Sequence, residues 1–171
     1  MFPVLTWTRA VLQTTPARWT ALVNDLPDEL LRRSPAPGEW SAWECLRHLV
    51  ETDQLVFPVR VKGFLEGRDL ASFNPDARPS TPGATEPHEL ERLFVAVRRK
   101  NLKLLESLEK EDLGRTARHE ELGPVTLEQM LQEWAAHDLM HTVQAERAMM
   151  QPFLQGVGPW RPQFADHVAV K

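Results

Sequence analysis

Glu133-Trp134-Ala135-Ala136-His137-Asp138-Leu139-Met140-His141 sets two histidines one helical turn apart. An i, i+4 pair puts both imidazoles on one side of a helix. That side also carries Met130, Trp134, Ala145 and Ala148, so the pair points toward a core and not toward water. Two inward histidines at this spacing form half of a metal site. A third ligand from another helix would make the chain a metal-binding bundle, and His48 is the candidate.

Reading outward from this stretch, Thr126 with Gln129 three residues on forms a capping box that starts the helix, which is expected to run to about Met150 and to end at Pro152. Three further helical patterns precede it. One lies between Val4 and Asp25, where Thr15-Pro16 reads as an N-cap with proline at the first helical position, so two pieces are expected. Another starts at Ser41, with Glu44 completing a second capping box, and runs to about Glu66 with a kink at Pro58. The third starts near Thr85-Glu86-Pro87 and ends by Glu109. Its stripe is Leu90, Leu93, Phe94, Val97, Leu104, Leu105 and Leu108. The segments Leu30–Trp40 and Gly67–Thr85 are broken by proline and glycine and read as connections. A short hairpin would fit between Gly114 and Val125, and the tail is expected to fold Trp160 and Phe164 back onto the helices. The expected fold is all-α, a four-helix bundle with a long crossover connection, forming one domain over residues 1–171.

Bulk properties narrow the function. The chain is 42% hydrophobic and 26% charged with a net charge of −4, and its basic residues form no stripe, so no nucleic-acid partner is expected. No apolar run approaches the ~20 residues of a membrane span, so no membrane partner is expected. The single cysteine, Cys45, suits a reducing cytoplasm, and no secretory signal is evident at the N-terminus.

Several polar residues fall on apolar stripes. His137, Asp138 and His141 do so in the last helix. Asp53 and Arg60 interrupt the stripe of Cys45, Leu46, Leu49, Val56, Phe57 and Phe64, with His48 at its edge. Asn101 interrupts the leucines of the third pattern. Burying such groups unpaired costs several kcal/mol, so they must satisfy one another, hold a metal or line a wet cavity. Three neutral imidazoles make a good ligand set for Zn²⁺, Ni²⁺ or Fe²⁺ and leave positions for water or substrate. Asp53 and Asp138 are expected to accept hydrogen bonds from the imidazoles and orient them. Glu133 and Glu44, each one turn before a histidine, are further candidates for ligand or base. Plainer readings stand beside these. Arg60 with Asp53 or Asp138 reads as a buried ion pair. Asn101 reads as a satisfied core amide, Cys45 as an inert packed thiol, and His88, His119 and His167 as surface residues.

The chain resembles the DinB/YfiT-like metalloenzyme superfamily of four-helix bundles. The likeness is carried by Pro35–Glu44 leading into Cys45–Asp53, by Glu133–Gln144 in the form His-Asp-x-x-His-x-x-Gln, and by Gly158-Pro159-Trp160-Arg161. The resemblance implies a metal on His48, His137 and His141 and frequent homodimers. It also implies chemistry on a small-molecule substrate, of hydrolase or S-transferase type, with a low-molecular-weight thiol as cosubstrate in members of known activity. The expected function is therefore a divalent-metal-dependent enzyme activating water or a thiol against a small electrophile. The rivals are a non-catalytic metal- or ligand-binding stress protein with a closed site, and a bundle whose histidines only hydrogen-bond to Asp53 and Asp138.

Overall fold

Two capping boxes fix where the site-bearing helices begin. In the computed structural model, which describes residues 3–74 and 86–169, Ser41 Oγ accepts from the Glu44 backbone N–H at 3.3 Å and the Glu44 carboxylate accepts from Ser41 N–H at 2.8 Å. This starts α3 (Ala42–Leu55). Thr126 and Gln129 exchange the same two bonds, at 3.2 and 2.9 Å, and start the last helix, α6 (Leu127–Gly156). Each box satisfies two backbone N–H groups that a helix start leaves without partners. Before them come α1 (Val4–Asp25) and a five-residue α2 (Asp28–Arg32) that seats Leu31 in the core. The latter overlaps the stretch read as a plain connection. Between them come α4 (Phe57–Glu66), α5 (Pro87–Glu106) and the antiparallel pair β1 (Thr116–His119) and β2 (Gly123–Thr126), in register Thr116↔Thr126. Of the expected crossover connection, residues 75–85 lie outside the described residues. Among the described residues no helix is long and apolar enough to cross a membrane.

The prolines behave differently from one another. Pro58 does break its helix: α3 stops, Val56 takes φ −114° and ψ −73°, and α4 restarts with Pro58 in its first turn. Pro16 does not break α1, contrary to the two-piece expectation. A proline frees the carbonyl four residues earlier. That carbonyl, on Leu12, accepts from Arg98 Nη1 at 3.0 Å, while the Thr15 hydroxyl bonds back to Val11 O at 3.0 Å and caps nothing. Pro152 does not end α6 either. The turn beyond it is held by buried Leu154, whose carbonyl accepts from Arg161 at 3.0 Å. The tail docks through polar bonds, Arg147 and Gln151 donating to the His167 carbonyl at 3.2 and 2.8 Å. Trp160 therefore stays out in solvent and Phe164 is half-buried, where the sequence suggests two packed rings.

α1 and α3 each pack on both α5 and α6, which closes the four-helix bundle. Its interior is stratified. One apolar cluster holds Leu12, Phe57, Phe64, Leu105, Leu131 and Trp134; the other holds Trp19, Leu46, Leu49, Phe94, Ala145 and Met149. Each large side chain buried there contributes roughly 1.5–3 kcal/mol. Between the clusters runs a buried polar layer of His48, Asp53, Arg98, Asn101, Asp138 and His141. α3, α5 and α6 supply its side chains.

Arg98, fully buried, organises the layer. Nε and Nη2 donate to Asp53 at 2.6 and 3.1 Å, Nη2 and Nη1 donate to Asp138 at 2.6 and 3.1 Å, and Nη1 also donates to Leu12 O. All five guanidinium N–H groups are thereby used. Trp134 Nε1 adds a bond to Asp53 at 3.1 Å, and Asn101 donates to the Asp53 carbonyl at 2.8 Å. Burial opposes the Arg98 charge, but the two carboxylates beside it raise its pKa; burial pushes the Asp53 carboxyl up. Arg98→Met would leave two buried carboxylates uncompensated. It should cost about 3–5 kcal/mol of stability in urea unfolding; a loss under about 1 kcal/mol would show that the layer does not hold the helices together.

Candidate metal centre

His48 reaches the centre from α3, and His137 and His141 reach it from α6. Asp138, between the two α6 histidines in sequence, is tied through Arg98 to Asp53, five residues after His48, so the anchor that joins the helices also fixes the rings. His48 Nε2 and His137 Nε2 lie 3.0 Å apart. Ring centroids are 4.6 Å apart for His48 and His141 and 4.4 Å for His137 and His141. One nitrogen from each ring lies within 4.8 Å of the other two, a group able to hold a metal ion.

Aromatic side chains enclose the rings. Trp40, from the connection before α3, stacks on His141 at 5.6 Å and leans on His48 at 4.9 Å. Phe57, next to the Pro58 break, meets the edge of His137 at 5.2 Å and stacks on Trp134 at 4.8 Å. Burial is the main cause that lowers the pKa of each histidine, to about 4 for His48 and about 3 for His137. For His48 and His137 the neighbouring rings and arginines lower it further. All three are thus neutral near pH 7, the state in which imidazole binds metals. Gln144 Oε1 lies 2.9 Å from His141 Nδ1; with the proton on Nδ1, Nε2 is left to the centre. The buried Nδ1 atoms of His48 and His137 have no hydrogen-bond partner among the described residues.

The donor set fits a divalent ion. Two nitrogens each ~2.0–2.1 Å from one ion lie roughly 3 Å apart, as His48 and His137 Nε2 do. With Nε2 lone pairs turned inward, the single proton of each neutral ring sits on Nδ1.

A DinB superfamily model matches residues 12–145. The chain belongs to the DinB superfamily. It is similar in fold to YfiT from Bacillus subtilis, described as a probable metal-dependent hydrolase with an unusual four-helix bundle topology, with a TM-score of 0.71 and 18% identity over 87% of each chain. It is also similar to a conserved protein from Enterococcus faecalis, with a TM-score of 0.62 and 15% identity over 88% of this chain and 98% of that one. At these identities the likeness concerns the fold. No curated protein sequence matches the chain.

Within this DinB-superfamily bundle, several residues sit otherwise than their spacing suggests. Asp53 and Asp138 do not hydrogen-bond the imidazoles; their carboxylates are taken by Arg98. Arg60 pairs with neither aspartate. Its guanidinium faces His119 at 3.0 Å and Glu133 at 3.7 Å, because the Val56 break carries α4 away from the Arg98 layer. His119 is buried, and not at the surface, because the Leu70 strand bridge covers it. Glu44 is occupied by its capping box. Cys45 lies in the apolar cluster, where burial pushes its thiol up to about 12. Arg98, Trp40 and Gln144 are the residues to which spacing gave no role. Arg98 lies four residues after Phe94 and three before Asn101, but the neighbouring Val97 completes an apolar stripe and masks it. Gln144 follows His141 by three, on the same face.

Protonation should oppose the folded site. Each depressed histidine binds a proton more readily when unfolded, so the unfolded state gains protons as pH falls below ~6.5. Stability of the chelator-treated protein should therefore fall steadily from about pH 6.5 toward pH 4 and on toward pH 3. His137→Gln should flatten that decline, as read from urea midpoints across the range.

Proposed function

We propose that this protein is a divalent-metal-dependent enzyme, with His48, His137 and His141 holding the ion and a small electrophile as substrate. The convergence of three neutral imidazoles, two of them with Nε2 atoms 3.0 Å apart, carries the reading. Bound there, a zinc, nickel or iron ion would supply Lewis acidity to a water or to a low-molecular-weight thiol. The description of YfiT as a probable metal-dependent hydrolase favours water over the thiol.

The protein's own groups have separable tasks. Gln144 fixes the tautomer and orientation of His141. Trp40 shields the rings on one side. Asp53 and Asp138 are positioning residues that act through Arg98, holding α3 and α6 in the register that lets His48 meet the other two. A cavity of about 370 Å³, lined in part by Trp40, His141 and Gln144, lies against the His141 side of the centre. A cavity next to one of the three rings favours an enzyme over a closed, non-catalytic metal site. A homodimer is proposed as well. α6 exposes Ala136, Leu139, Met140 and Val143 at i, i+3, i+4 and i+7, an apolar strip that the sequence pattern alone did not single out. A reducing, cytoplasmic setting fits the one buried thiol.

Protein expressed without an affinity tag should contain about one divalent ion per chain by elemental analysis. His137→Ala should abolish that content while the far-UV circular dichroism stays helical. Full metal content in His137→Ala, or none in the wild type, overturns the assignment. Gln144→Leu should lower metal affinity by about 10-fold or more, read by chelator competition.

A further inference from the structure

A second cavity, of about 320 Å³, lies between α4, the β1–β2 hairpin and α6. Its polar walls are Arg60, His119, Glu121, Gln129 and Glu133, and its apolar walls include Leu70, Leu122 and Met130. We propose that this cavity binds the anionic group of a small organic molecule, a carboxylate on an apolar body, through Arg60 and His119.

The hydrogen bonding of His119 points there. The ring is 6% exposed. Its Nδ1 faces the backbone N–H groups of Glu121 and Leu122 at 3.2 and 3.4 Å, and its Nε2 faces Arg60 Nη2 at 3.0 Å. A neutral imidazole has one lone pair to offer and one N–H. It cannot accept at both nitrogens, and a protonated ring, which accepts at neither, fits worse. With Nδ1 accepting from the hairpin backbone, the Nε2 proton is turned against the guanidinium. An anion in the cavity resolves the opposition, because it accepts from His119 Nε2 and from Arg60 together.

Arg60 is suited to the task. Its side chain is 14% exposed, yet its nearest carboxylate among the described residues is Glu133 at 3.7 Å, beyond a hydrogen bond, on a side chain half in water. Its remaining partner among the described residues is the Ala71 carbonyl at 3.5 Å. Arg98, by contrast, uses every donor at 3.1 Å or less. A guanidinium with donors to spare among the described residues, beside apolar walls, matches the planar fork of a carboxylate. Glu133, half exposed, faces that guanidinium from beyond hydrogen-bond distance.

Two of its wall residues neighbour the candidate ligands. Glu133 precedes His137 by one turn of α6, and Phe73, which lines the same cavity, lies 6.4 Å from the His48 ring. A molecule anchored by its carboxylate at Arg60 would extend its other end toward the metal centre. That role as a substrate anchor rests on the proposed metal-enzyme reading; the anion binding itself does not.

Titration calorimetry on chelator-treated protein tests the site, with valerate, its neutral isostere valeramide, and inorganic phosphate as probes. Valerate should bind, valeramide should bind more than about 10-fold more weakly, and Arg60→Gln should lose valerate affinity by a similar factor. His119→Phe, which keeps a ring but no donor, should weaken valerate binding as well and serves if Arg60→Gln does not fold. Phosphate binding more tightly than valerate, and lost in Arg60→Gln, upholds the anion site and assigns it to a phosphoryl group. Valerate and valeramide binding alike, neither anion binding, or affinities unchanged by both substitutions overturns it. Because the probes are used without metal, anion binding by a protein that takes up no divalent ion would overturn the metal reading alone, and metal uptake without anion binding would overturn this one alone.

Discussion

The guanidinium of Arg98 is the point on which the four-helix arrangement turns. It sits on α5 and bonds Leu12 on α1, Asp53 on α3 and Asp138 on α6. Two bidentate carboxylate pairs and one carbonyl fill its five donors, and no weaker donor could meet all three helices in this geometry. A buried charge cluster of this kind adds little net stability over a well-packed apolar core. Its value is registry: a helix shifted by one residue would leave charges buried without partners, so the sequence tolerates one alignment.

That registry transmits directly to the histidines. Asp138 is flanked by His137 one residue before it and His141 three after, and Asp53 follows His48 by five. Fixing the two carboxylates on one guanidinium therefore fixes three imidazoles around one point. The apolar clusters above and below supply most of the folding free energy, and the polar layer between them spends some of it on alignment. The stratification also explains how a site so polar sits in the middle of a bundle. Its carboxylates and guanidinium satisfy one another, while the Nε2 atoms of His48 and His137 face each other and their Nδ1 atoms have no partner among the described residues.

The prolines belong to the same economy of backbone groups. Pro16 removes a helical N–H and so releases the one carbonyl that Arg98 needs from α1. Pro58 ends α3 soon after Asp53, and the break carries α4 outward, so that Phe57 covers His137 while Arg60 turns away from the aspartates and meets His119 on the hairpin. Two residues that spacing alone would treat as helix breakers thus have opposite outcomes. At Pro16 the freed carbonyl is taken by Arg98.

Period, capping boxes and inward polar residues were enough to read an all-helical bundle, the helices that carry the site, and the three histidines that the structure brings together. Those are local properties: a face is set by 100° per residue, and a cap by residues three apart. Partner choice was not local. Whether Asp53 would meet Arg60 or Arg98, whether His119 would be covered, and whether Trp160 would pack depended on how helices distant in sequence lay against one another. Arg98 was hidden because an apolar neighbour completed the same stripe, and Pro16 because its freed carbonyl is answered from a helix more than eighty residues away. The sequence by itself determined the helices and the faces they bury. Only the tertiary structure decided which buried charge answers which, because that depends on distances between helices and not on spacing along any one of them.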